Sequence, residues 1–115
     1  MSIVLLSRDL MLSSKLEGAA RRVDQTLKVI GTDEAVLESV ADCRVMVVDL
    51  EIPGLDIDEL VQNLKARSPE GIQVIAYAPH VRTEKLAAAK EAGCDLVVSR
   101  GQIMSDAESI LRSFL

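Results

Sequence analysis

The sequence predicts an α/β fold, a parallel sheet of five strands with helices on both faces. Two observations carry that reading. Short apolar runs alternate five times with segments that repeat apolar residues at helical spacing. The runs are also nearly continuous in apolar residues, as strands are when both sheet faces are covered. Length agrees, since 115 residues suit one domain, read here as residues 1–115.

Ile3-Val4-Leu5-Leu6 is the first strand. Leu12, Leu16, Ala20 and Val23 then recur at helical spacing, with Asp9 placed to cap that helix. Leu27 to Ile30 is a second strand, interrupted by Lys28, which suits a sheet edge. Gly31-Thr32 turns into "DEAVLESVA", a helix with Asp33 and Glu34 at its positive end. Val45 to Val48 is the most apolar strand and is expected at the centre. Asp56 and Glu59 have capping-box spacing, and Leu60, Val61 and Leu64 line one face of the helix they open. Ser68-Pro69 and Gly71 end it. "QVIAYA" is the fourth strand, and "TEKLAAAKEA" from Thr83 to Ala92 is a strong helix former closed by Gly93. "LVVS" is the fifth strand. Ser105 and Glu108 form another capping-box pair ahead of Ile110, Leu111 and Phe114. Right-handed crossovers leave few topologies for such a chain.

Composition narrows the function classes. Hydrophobic residues make up 49% and charged residues 27%, a soluble globular profile. A net charge of -5 argues against a nucleic-acid surface, which needs clustered Lys and Arg. Tyr77 and Phe114 are the sole aromatics, so no platform for stacking bases exists. No apolar run reaches the about 18 residues of a membrane span. Met1 stands directly before the first strand with no signal peptide, and the expected compartment is the cytoplasm. Cys43 and Cys94 have no metal-ligand spacing and read as small core residues. His80, the single histidine, has no sequence neighbour that would make it a ligand or base and reads as a surface residue.

In an open α/β sheet, sites form at the carboxyl ends of the strands. That edge collects Ser7-Arg8-Asp9, Asp49, Ala78-Pro79-His80 and Ser99-Arg100. Asp49 raises the sharpest question, because four apolar residues lead straight into a carboxylate that a Pro-Gly turn follows. A buried charge needs a partner.

"VVDLEIPGLD" resembles the phosphoacceptor segment of CheY-like response-regulator receiver domains, and "EAGCDLVVSR" resembles the segment carrying their last strand and basic residue. The resemblance spans essentially the whole chain. It implies a flavodoxin-like (βα)5 sandwich with strand order 2-1-3-4-5, and a role in two-component signal transduction. It places the phosphoacceptor at Asp49 and a metal-binding backbone carbonyl at Glu51. The family's acidic pair, however, falls on Ser7 and Arg8, and only Asp9 nearby is acidic. The phosphate-binding hydroxyl falls on Ala78, the basic residue on Arg100 and the reporter aromatic on Val97.

These departures have physical weight. Mg²⁺ wants hard oxygen ligands, commonly one or two carboxylates, and phosphoryl transfer depends on that ion. The expectation is therefore a pseudo-receiver, not an enzyme. No cofactor or metal is expected, with Asp9, Asp49 and Glu51 the weak metal candidates. The charge of Asp49 is expected to be met by a guanidinium, from Arg100 or Arg8. Ser7 reads as a cap for the first helix. The alternative is a conventional receiver that uses Mg²⁺ to phosphorylate Asp49. Expected partners are proteins, including a second copy, met through the face of the fourth helix, fifth strand and fifth helix, with neither nucleic acid nor membrane. Any output domain is expected on a separate chain, unless the sequence is a domain excised from a longer one. A flavin binder lacks its phosphate loop and flanking aromatics, and a hydrolase lacks a G-x-S-x-G elbow.

Overall fold

The computed structural model describes residues 2–41, 43–68 and 71–115, so the Pro69 expected at the end of the third helix lies outside the described residues. Five strands, β1 (Ser2–Leu6), β2 (Thr26–Ile30), β3 (Cys43–Asp49), β4 (Gln73–Ala78) and β5 (Leu96–Ser99), alternate with five helices. These are α1 (Leu10–Arg22), α2 (Asp33–Leu37), α3 (Ile57–Arg67), α4 (Thr83–Glu91) and α5 (Arg100–Ser113). All strand pairs are parallel, in the order β2-β1-β3-β4-β5. This is the flavodoxin-like arrangement expected from the sequence, with β3 central and the Lys28 strand at an edge.

The core divides along the pleat. On β3, Met46 and Val48 face the layer that contains Val36, Leu60, Leu64 and Ala89, while Val45 and Val47 face Leu12, Leu16, Ile103 and Leu111. Both layers are fully buried at the sheet, and that is why β3 and β4 have no polar alternation. Cys43 is buried and Cys94 packs against the α3/α4 layer, both as free thiols. Burial pushes each thiol up to about 11.

The starts of α1 and α3 follow the expected caps. The Asp9 carboxylate accepts the Leu12 N–H and the Asp56 carboxylate accepts the Glu59 N–H, each at 3.1 Å. Gly93 closes the turn after α4 with φ of +96°, a conformation that disfavours any side chain. At the amino-terminal edge of the sheet, Asp95 accepts the Val74 N–H at 2.7 Å and meets Lys65 Nζ at 3.2 Å, which ties the start of β5 to β4 and α3.

Two helices differ from expectation. α2 stops at Leu37 rather than running through "ESVA". Beyond Leu37, Val40 turns into the core and Cys43 already begins β3, so the chain breaks from the helix to reach the sheet. α5 begins at Arg100 with its cap at Ser99, six residues before the Ser105 cap that its pattern suggested. Ser99 is the true cap, its hydroxyl accepting the Gln102 N–H at 3.1 Å. Ser105 instead bonds back to the Gly101 carbonyl at 3.0 Å, and Asp106 beside it leaves helical geometry (φ -118°, ψ 23°). A serine bonded to the carbonyl four residues earlier is a known cause of such bends.

Candidate functional site

Parallel pairing brings the carboxyl ends of all five strands to one edge, and there three polar side chains meet inside the core. Asp49 ends β3 and is paired in register with Tyr77 on β4. Ser7 follows β1 and is held by its backbone N–H to the Ile30 carbonyl of β2 at 3.0 Å. Exposure is 7% for Asp49, 2% for Ser7 and 1% for Tyr77, so their hydrogen bonds form with little competition from water.

The Ser7 hydroxyl donates to Asp49 Oδ2 at 2.9 Å. It lies 2.8 Å from the Tyr77 hydroxyl. Because a serine has one proton and Asp49 takes it, the Tyr77 hydroxyl is the donor in the second bond. Ser7 Oγ also accepts the Asp9 N–H at 3.0 Å, so its one donor and two lone pairs are all used. The Glu51 N–H donates to Asp49 Oδ1 at 2.9 Å. Both carboxylate oxygens of Asp49 are thus satisfied by neutral donors. Burial, chiefly, raises the Tyr77 hydroxyl pKa, and the nearby Asp49 charge adds to the shift. Tyr77 stays a neutral donor throughout the physiological range.

The expected guanidinium partner of Asp49 is not what the structure shows. Arg100 binds Asp9, Nε to Oδ2 at 2.7 Å and Nη2 to Oδ1 at 3.3 Å. Arg8 projects from the edge and donates from Nε to the Gly31 carbonyl at 3.0 Å. The cause lies in α5: Arg100 is its first residue, where the helix end repels a cation and a nearby carboxylate removes the repulsion. Asp9 is that carboxylate, and it caps α1 at the same time. The Arg100 guanidinium holds the Asp9 carboxyl below the usual carboxylate range, against a burial effect that pushes it up. Asp9 in turn raises Arg100. Ser7 is not the cap of α1 either; it braces the cap by accepting the Asp9 N–H.

The remaining positions fall around this cluster. The Glu51 side chain turns away to Lys85 Nζ at 2.6 Å and Arg82 Nε at 2.8 Å, and those two cations, Lys85 first, hold its carboxyl low. Ala78 is fully buried and Val97 partly buried, each presenting only hydrocarbon. His80 is exposed. Tyr77 was not among the sequence candidates. Its signal was there to read: one phenol in an otherwise aliphatic buried strand, where a hydroxyl must find a partner.

The donor set does not fit a divalent cation. Position 7 offers a neutral hydroxyl already fully bonded, Asp9 is paired to a guanidinium, and Asp49 remains as one carboxylate. Among the described residues, no three His, Cys, Asp or Glu side chains come together as a metal-binding group. No helix among the described residues is long and apolar enough to cross a membrane.

The sequence matches no protein-family model and no curated protein. The fold has many solved counterparts. One is the receiver domain of a sensor histidine kinase from Pseudomonas aeruginosa PAO1 with magnesium ion coordinated in its active-site cleft. It has TM-score 0.79 at 15% identity, over 98% of this chain and 95% of that one. A CheY-like receiver domain protein from Methanospirillum hungatei matches with TM-score 0.78 at 16% identity, over 98% and 92%. A CheY-like protein, TadZ, from Pseudomonas aeruginosa PAO1 matches with TM-score 0.75 at 17% identity, over 100% and 99%. The structural neighbours are CheY-like response-regulator receiver domains, and at these identities the likeness is one of fold.

Proposed function

We propose that this chain is a receiver-like signalling module that works by binding protein partners, with Asp49 unphosphorylated and no metal required. One observation carries the reading: Ser7 occupies the position where the receiver resemblance calls for an acidic metal ligand, and it saturates Asp49 Oδ2 with a neutral hydrogen bond. Three others support it. Arg100 is committed to Asp9, Ala78 offers no hydroxyl to a phosphoryl group, and Val97 has no ring to change rotamer. Asp49 in this reading is a structural acceptor that joins β3 to β1 and β4.

The module is a single domain over residues 1–115, acts in the cytoplasm and is not an enzyme. Its partner surface is the face of α4, β5 and α5, where a second copy of the chain or another signalling protein docks. α4 is suited to this, because Ala89 is its one buried residue and the exposed Ala87 leaves a low surface open to approach.

Incubation with a small phosphodonor and Mg²⁺, followed by intact-mass measurement, tests the reading. The expected spectrum shows unmodified protein. A stoichiometric phosphate adduct that disappears in Asp49→Asn would instead establish a conventional receiver.

A further inference from the structure

The misfit between this edge and a metal ion has a cause beyond Ser7 itself. Tyr77 reaches through the α1/α5 core layer and places its hydroxyl 2.8 Å from Ser7 Oγ. Ser7 Oγ is 2.9 Å from Asp49 Oδ2 and 3.0 Å from the Asp9 nitrogen. The serine oxygen is therefore enclosed by three polar atoms, and its residue is 2% exposed. A carboxylate at position 7 would extend one bond further, into the phenol oxygen or Asp49. It would also add a third negative charge beside Asp9 and Asp49, with Arg100 the one cation bonded there.

We propose that Tyr77 and Ser7 act as one unit, a pair of hydroxyls that replaces a metal-ligating carboxylate just after β1 and locks Asp49 to its neighbouring strands. This rests on the metal-independent reading above and explains how it is enforced. Tyr77 is a positioning residue: its proton fixes the Ser7 lone pairs, so the Ser7 proton points to Asp49. Neither half can be exchanged alone to open the site. Ser7→Asp keeps the phenol oxygen in the space that the new carboxylate needs. Tyr77→Phe clears that space but leaves a neutral hydroxyl as the ligand. Only Ser7→Asp with Tyr77→Phe provides both the carboxylate and the room, and contacting residues of this kind are where non-additivity is expected.

The test is a Mg²⁺ titration of the wild type, both single variants and the double variant, followed by amide NMR without any phosphodonor. The expected result is saturable shifts at Asp9 and Glu51 in the double variant, with affinity at least about tenfold above either single variant, the scale on which groups behind a metal ligand act. Equal affinity in Ser7→Asp alone, or no saturable shift in the double variant, would overturn the pairing. Tyr77→Phe without metal gives a second measure. The Asp9 and Glu51 amide signals must move, since both report on the bonded chain; unchanged signals would mean that Tyr77 merely fills space. Phosphorylation of the wild type would sink the functional reading but leaves these comparisons intact.

Discussion

The Ser7 oxygen holds three hydrogen bonds at once, and its neighbours depend on it unequally. Ser7→Ala strands both the Tyr77 proton and an oxygen of the Asp49 carboxylate in the core. Tyr77→Phe removes one donor and leaves Asp49 with its serine. Unsatisfied buried groups cost about 1–3 kcal/mol and a lost neutral bond about 1 kcal/mol. Urea unfolding should therefore place Ser7→Ala below Tyr77→Phe, and Tyr77→Phe below wild type. Asp9 supplies a pH-dependent contribution. Its folded pKa lies beneath the ordinary value of 3.8, so the Arg100 pair stabilises the fold above that pH and is lost as pH falls through the depressed value. Arg100 is 35% exposed and Asp9 21%, so solvent screening limits the pair to about 0.5–1 kcal/mol. Asp9→Asn keeps a capping oxygen and loses the charge. Its stability deficit should be clear at neutral pH and vanish in acid unfolding series taken well below pH 3.8.

Among the elements, α5 separates what pattern can show from what it cannot. Ser99 caps it and Arg100 opens it with no intervening loop. Ser99→Ala should cost about 1 kcal/mol in denaturant unfolding. Gly101 lies in the first turn, where an added Cβ would meet nothing closer than Ser99 Oγ at 4.0 Å, so Gly101→Ala should stabilise by about 0.5–1 kcal/mol. The opposite sign is expected at Gly93, whose φ of +96° resists a side chain. "QVIAYA" was legible to the residue because Gly71 and Pro79 flank it, and "LVVS" because Gly93 and Asp95 precede it and its apolar run stops at Ser99. The α5 start was not, because Ser105 and Glu108 imitate a cap while Ser99 looks like the end of a strand. What the pattern detected was the bend at Asp106. α2 was overestimated for a related reason: "ESVA" has helical composition, but Val40 is claimed by the core. The site was legible in its address and not in its pairing. Asp49, Ser7, Asp9 and Arg100 all reach one edge, as the strand ends require. Which cation meets which carboxylate depended on where α5 begins, and that was the element misplaced by six residues.

On the scale of the whole molecule, buried polar chemistry is concentrated at one place. Ser7 and Asp49 are the two buried polar or charged residues among those described, and with the Tyr77 hydroxyl they form one cluster. The other buried side chains of the sheet are apolar, and its polar residues Lys28, Arg44 and Gln73 lie outside the buried set. α4 marks the outer surface: Ala87 is exposed on the flank of the helix opposite Ala88, which lines a pocket with Leu55–Asp58 beside α3. Ala87→Arg should alter unfolding free energy by no more than about 0.5 kcal/mol while disrupting any docking across the α4-β5-α5 face. The comparison to make is thermal unfolding against self-association measured by sedimentation, with a large stability loss arguing that α4 is packed more tightly than its exposure indicates.

Tyr77 is also the sole tyrosine of a chain without tryptophan. Its emission and its near-ultraviolet circular dichroism therefore originate at the Ser7–Asp49 cluster and nowhere else of comparable strength. The protein carries a built-in optical reporter at its most constrained point. A partner that docks on a remote face and leaves the edge untouched will be silent in that signal, while one that loosens the edge will announce itself without any label.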